Sequence, residues 1–185
     1  MESVMKIKVV FLDIDGVLNS VEFARRTEFT GWPDGHIDHE AVKHLNRLIT
    51  ETDAKIVISS SWRKMLDPEE LAKVLARAGC VGEVIGETPD FWKREREQEL
   101  WERPTQRFER GDEIQAWLDE HSEVEIEAFV IFDDDSDMVH LVDRFIKTDS
   151  ETGLLDEHIE RAITMLTRDV AREPLVWLPR RNSAP

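Results

Sequence analysis

Only one cysteine, Cys80, occurs among the 185 residues, so no internal disulfide can form. No Cys and His spacing around it suggests a zinc site, and this agrees with a reducing compartment. Cys80 itself reads as a small buried apolar residue. The chain also lacks any tract of eighteen apolar residues, which excludes a membrane-spanning helix. From Met1 to Lys8 a Glu and two Lys precede a short apolar run that leads directly into polar residues, unlike a signal peptide. We therefore expect one soluble, cytoplasmic domain over residues 1–170, followed by a tail at 171–185. Basic side chains are scarce too. Twenty-four Lys and Arg face forty Asp and Glu, a formal charge of −16, and this disfavours strong nonspecific binding to nucleic acid, which is driven by contacts to phosphates. Two segments hold local basic residues, Lys93 to Arg110 with six basic and five acidic side chains and Arg161 to Pro185 with five and two. Such mixed charged runs usually form solvated faces. There is no internal repeat and no low-complexity segment.

What is present alternates between two periods. Lys6 to Leu12 is a near-continuous apolar run that reads as a strand buried on both faces. Behind Asp38, a candidate N-cap, Ala41, Val42, Leu45, Leu48 and Ile49 recur at helical spacing up to Thr50. Ala54 to Ile58 reads as a second buried strand. Asp67-Pro68, then Leu71, Val74, Leu75 and Ala78, closed by Gly79, is a capped helix with an apolar stripe. Short strands are expected at Glu83 to Ile85, Ala128 to Phe132 and Phe145 to Lys147. The intervening helices are expected at Asp112 to Glu120, from about Ser136, and at Asp156 to Leu166. Strands alternating with helices imply an α/β fold: a doubly wound, mainly parallel, five-stranded Rossmann-like sheet with helices on both faces. In such sheets ligands bind beyond the carboxyl ends of the strands.

Acidic residues gather at that edge. The first strand ends in Phe11-Leu-Asp-Ile-Asp-Gly-Val-Leu-Asn19, which places Asp13 and Asp15 ahead of a turn glycine. The strand at Ala128 to Phe132 runs into Asp133-Asp-Asp-Ser-Asp137. A helix amino terminus favours an acid or two, but not four. Like charges so concentrated call for a cation, and a few hard carboxylate ligands with room for water and phosphate suit Mg2+. A calcium loop is excluded because Met138 and Arg144 stand where its glycine and bidentate Glu belong. The second strand leads to Ser59-Ser-Ser-Trp-Arg63, hydroxyls and a guanidinium suited to phosphate oxygens. Trp32, Trp62, Phe91, Trp92 and Trp101 are candidates to stack on a base, although aromatics at such spacings more often pack internally. His36, His39 and His44 make no convincing metal triad.

With these motifs the sequence resembles the haloacid-dehalogenase-type phosphatases, whose first motif is an Asp-x-Asp ending the first strand. The resemblance implies that Asp13 is the nucleophile and a metal ligand. Asp15 would be the general acid, lending its backbone carbonyl to the metal as well. The second motif falls on Ser59 by position, or on Ser61 with Arg63 in a Ser-x-Arg variant, with Ser60 beside them for phosphate binding. The third falls on Arg110 in Arg-Gly-Asp-Glu-Ile, with Arg107 in reserve. The fourth falls on Asp133 and Asp134, and Asp137 matches a second acid four residues on. More narrowly, these motifs together with Lys-Thr-Asp-Ser-Glu-Thr-Gly-Leu are similar to the phosphatase-like domains of multifunctional RNA-repair proteins over about residues 6–167. Dehalogenases lack the second aspartate, so Asp15 implies phosphate substrates. The intervals Ser20 to Ile37 and Glu87 to Glu109 are too short for a large cap domain, which leaves room for a small phosphate ester or a nucleic-acid end. Glu97, Glu99 and Glu102, interleaved with Arg94, Arg96 and Arg103, read as an exposed helix, or a lid over the site. The rival outside enzyme chemistry is a catalytically silent module that binds phosphate or nucleotide on the same fold.

Overall fold

The computed structural model describes residues 6–28, 31–91 and 108–168. Arg107, Trp92, Trp101, the charged segment up to residue 107 and the tail at 171–185 lie outside them. Within the described residues the strands are β1 (Lys6–Leu12), β2 (Lys55–Ile58), β3 (Val84–Glu87), β4 (Glu125–Asp133) and β5 (Phe145–Lys147). The helices are α1 (Val21–Arg26), α2 (His39–Thr52), α3 (Pro68–Arg77), α4 (Arg110–Glu120) and α5 (Asp156–Arg168). The five strands form one sheet in the order β3-β2-β1-β4-β5, all pairs parallel. No described helix is long and apolar enough to cross a membrane.

The central strands are apolar without alternation because both faces are covered. Val10 and Leu12 of β1, with Ile56, Ile58, Val130 and Phe132, pack against Leu45 and Leu48 of α2, Leu71 and Leu75 of α3, and Ile159 and Leu166 of α5. Val9 and Phe11 turn the other way, joining Val57, Phe129 and Ile131 against Ile114, Trp117 and Leu118 of α4. Phe11 meets Trp117 edge to face at 5.4 Å, a geometry that adds to the burial of both rings.

Helix boundaries follow local chemistry. Asp38 accepts from the Glu40 amide and caps α2, and Asp67 accepts from the Glu70 amide with Pro68 opening α3. Two expectations need correction, and one helix had not been expected. No α-helix starts at Ser136; a 3-10 turn runs from Val139 to Arg144 instead, because the Asp137 carbonyl is taken by the Gly111 amide and Val139 adopts a left-handed φ of 54°. Arg110 lies inside α4, which starts two residues earlier than its apolar pattern indicated. Val21–Arg26 forms a short helix, capped by the Ser20 hydroxyl, that its six residues were too few to announce. Among the described residues, no cap domain interrupts the interval from Ser20 to Ile37, which holds only α1 and a 3-10 turn at Asp34–His36.

Register is what brings the chemistry together. Leu12 pairs with Ile58 on one side and with Phe132 on the other, so the three central strands end level. The ladder continues one step further, with the Ser59 amide donating to the Leu12 carbonyl and the Asp13 amide to that of Phe132. Gly111, the second residue of α4, lies against the Met138 backbone, and a Cβ there would sit 2.3 Å from the Met138 carbonyl oxygen. Gly111→Ala should therefore lower stability by roughly 1–3 kcal/mol, as overpacking against unyielding backbone does, read as a drop in the urea midpoint at unchanged m-value.

Candidate active site

At the level ends of β1 and β4, Asp13, Asp133 and Asp134 each present a carboxylate oxygen within 4.8 Å of the others. Asp13 and Asp133 are almost wholly buried, at 6% and 1% exposure. The turn after Asp13 is shaped for this approach. Gly16 has φ +69°, and a Cβ on it would lie 2.4 Å from the Asp134 carboxyl carbon, so glycine is needed for both conformation and space. Asn19 fastens the turn by accepting from the Gly16 amide at 3.0 Å and donating to Asp15 at 2.9 Å. Beyond β5, Thr148 donates to the Gly16 carbonyl and the Leu154 amide to that of Val17, so residues 148–154 brace the same turn.

Burial of like charges moves the carboxyls far from the ordinary range. Burial raises Asp13 to about 6, although Arg110 and hydrogen bonds from the Ser60 hydroxyl and the Ile14 amide oppose it. Asp133 is pushed to about 8 by burial and then by the charge of Asp13, against the attraction of Arg110. Asp134 is raised by burial and by Asp135. Among the described residues, one buried oxygen of Asp133 has no hydrogen-bond partner, and Arg110 Nε lies 3.3 Å from it. An all-oxygen donor set with an unsatisfied buried atom and three converging carboxyls fits a hard divalent cation.

The basic side of the site is built from α4. Burial works against the Arg110 charge, but Asp13, Asp133, Glu113 and Asp137 outweigh it and raise its pKa. Its backbone amide donates to Asp137 at 3.1 Å, which holds Asp137 at the amino end of α4, apart from the three converging carboxylates. Of the three serines, Ser60 reaches Asp13. Ser59 is buried, and its hydroxyl has no partner among the described residues. Ser61 opens a 3-10 turn and, with Lys64, Arg110 and Asp137, lines a pocket beside the acidic group. Arg63 is turned inward. It pairs with Glu113 at 2.5 Å, the two side chains being 3% and 6% exposed, and it donates to the Ser60 carbonyl. Asp15, by contrast, is exposed, and the Trp62 indole N–H donates to both of its carboxylate oxygens at 3.1 Å.

Glu113 is the residue that sequence reasoning passed over. One helical turn from Arg110, it receives Arg63, approaches Arg110 at 3.5 Å and accepts from the Phe91 amide. It thereby joins the segments after β2 and β3 to α4. The available signal was its place next to Ile114 on the inward face of α4, a poor position for an unpaired carboxylate.

A family model described as the HAD domain in Swiss Army Knife RNA repair proteins matches residues 9–159. No curated protein and no solved structure matches the chain.

Two outcomes follow from this electrostatic arrangement. Asp13 and Asp133, raised to about 6 and about 8, hold protons more tightly than in the unfolded chain, where Asp titrates near 3.9. Their contribution to stability is complete below the unfolded value and is lost as the pH rises through the folded ones. In chelator, Asp133→Asn should raise Tm at pH 8 by roughly 5 °C, the effect of one to two kcal/mol in a chain of this size, and by less at pH 5; scanning calorimetry reads both. Glu113→Leu should cost roughly 3–5 kcal/mol because it strands the buried Arg63 charge, whereas Arg63→Met with Glu113→Leu should cost clearly less, measured by urea denaturation.

Proposed function

The chain belongs to the family of HAD domains in Swiss Army Knife RNA repair proteins, and from that membership we propose that it is a magnesium-dependent phosphatase acting on a phosphate monoester through an aspartyl-phosphate on Asp13. The observation that carries the reading is the convergence of Asp13, Asp133 and Asp134 within 4.8 Å at the carboxyl edge of the sheet, with Arg110 beside them. Asp13, Asp133 and Asp134 would hold Mg2+, with the Asp15 carbonyl added by the resemblance. When bound, the ion neutralises carboxylate and phosphoryl charge that would otherwise repel.

In the first step the Asp13 carboxylate attacks phosphorus in line, and the bond to the leaving oxygen breaks as that oxygen takes a proton from Asp15. In the second, the Asp15 carboxylate accepts a proton from a water that attacks the aspartyl-phosphate, which releases inorganic phosphate and restores Asp13. Two displacements replace one difficult hydrolysis. Ser60 and Arg110, both of which act on Asp13, would be donors for the phosphoryl oxygens, and a network fixed before substrate arrives needs little reorganisation in the transition state. The hydrogen bonds from Trp62 and Asn19 hold the Asp15 carboxylate in place for its proton transfers. The partner is a phosphorylated substrate, either a small molecule or a nucleic-acid end.

Phosphate release should be measured with magnesium from an aryl phosphate, mononucleotides, and RNA and DNA ends bearing 5′- or 3′-phosphate. We expect turnover that is lost in chelator and that falls at least roughly a thousandfold in Asp13→Asn, within the range seen when a covalent nucleophile is removed. Turnover that survives Asp13→Asn would overturn the aspartyl-phosphate route. No release by folded protein that binds magnesium would favour a silent binding module.

A further inference from the structure

Two tryptophans lead outward from Asp15. Trp62 is buried, at 3% exposure, and its indole N–H bridges both oxygens of the Asp15 carboxylate. Its ring meets that of Trp32 at 5.6 Å between centroids, tilted by 46°. Trp32 is 45% exposed and is the one aromatic among the exposed large hydrophobic side chains of the described residues. The two rings come from different connections, one after β1 and one after β2, and the phosphoryl chemistry has no use for the outer one. Covering Trp62 requires apolar bulk of no particular shape. An indole left nearly half in water against the ring that holds the Asp15 carboxylate instead offers aromatic surface to solvent.

The position of that face defines what it can meet. A general acid faces the leaving oxygen, so whatever that oxygen is attached to emerges on the Asp15 side of the site. The formal charge of −16 works against holding a substrate through a track of phosphates. Stacking on an aromatic ring needs no charge and accepts any base.

We propose that Trp32, backed by Trp62, is a leaving-group subsite that takes a flat heteroaromatic ring, the nucleobase of a nucleotide or of a polynucleotide end. The proposal rests on the phosphatase reading for the direction in which the leaving group departs. Trp32 is here a specificity-determining residue, and Trp62 both supports it and positions Asp15.

The test compares Trp32→Leu, which keeps apolar cover over Trp62 but loses the ring, with Trp32→Phe, which keeps a ring. Substrates are adenosine 5′- and 3′-monophosphate, oligonucleotides carrying the same end phosphates, and ribose 5-phosphate, which has no base. The readout is KM for the base-bearing substrate relative to KM for ribose 5-phosphate. We expect Trp32→Leu to raise this ratio roughly tenfold, the scale of one base stacked on one aromatic side chain, and Trp32→Phe to restore most of it. An unchanged ratio in Trp32→Leu, or a loss in Trp32→Phe equal to that in Trp32→Leu, overturns the subsite. A larger effect with the oligonucleotides supports the subsite with a polynucleotide end as its source of the ring; an equal effect supports it with a free nucleotide. The same ratio is read from dissociation constants by calorimetry in the Asp13→Asn background. Absence of turnover therefore overturns the phosphatase reading alone, while the binding ratio still decides the subsite. If the protein with Trp32 intact binds adenosine monophosphate no better than ribose 5-phosphate, the subsite is overturned.

Discussion

Mutual repulsion among Asp13, Asp133 and Asp134 is the constraint around which the rest of this protein is arranged. Three carboxylates brought within one coordination sphere, two of them almost without solvent, cost free energy in every state that lacks a counter-charge. The level strand ends, the left-handed Gly16 turn and the Thr148 and Leu154 braces all hold the carboxylates where repulsion would separate them. Arg110 compensates in part, and its place is set by the hydrogen bonds that tie the first turn of α4 to Asp137. Stability is thus traded for a concentration of buried charge at one edge of the sheet, a common relation between binding sites and folds.

Around this centre the charged groups form two shells with different tasks. Arg110 faces the acids directly, whereas Arg63, with the same chemistry, is buried against Glu113 and fastens the segment after β2 to α4. An isolated buried ion pair is a weak contributor to stability, since desolvation offsets its attraction. Here Glu113 also holds the Phe91 amide and approaches Arg110, so it couples three segments whose relative placement sets the donors around Asp13. On the opposite side Trp62 and Asn19 hold Asp15 in the more open part of the site. Asp15 is therefore at the mouth and Asp13 at the floor, the placement that the proposed roles of general acid and nucleophile require.

The fold was legible in the sequence because its physics is mostly local. Strands buried on both faces must be apolar throughout, as in Val9 to Leu12, and helices against a sheet must show stripes such as Leu71, Val74 and Leu75. Asp38 and Asp67 announced their helices because an N-cap satisfies orphan amides of its own chain. Residues 136–144 misled because their amphipathic pattern is compatible with a helix, while the competing bond from Gly111 comes from another part of the chain. The acidic motifs were equally visible, since two Asp-rich strand ends on one parallel sheet must share an edge. The serine that reaches Asp13 was not: Ser59, Ser60 and Ser61 are chemically alike, and only the course of the backbone after β2 distinguishes them.

By itself, then, the sequence determined the layered α/β architecture, the edge at which the acidic residues gather and the identity of the acidic pair after β1, because periodicity and capping depend on neighbours a few residues away. Tertiary structure decided which of the remaining polar groups belong together. It set Ser60 on Asp13, withdrew Arg63 to Glu113, kept Asp137 at the start of α4 and laid Trp32 over Trp62 beside Asp15. Those choices depend on distances between segments tens of residues apart, and side-chain charge and burial at such contacts are properties of the packed chain, with no trace in local pattern.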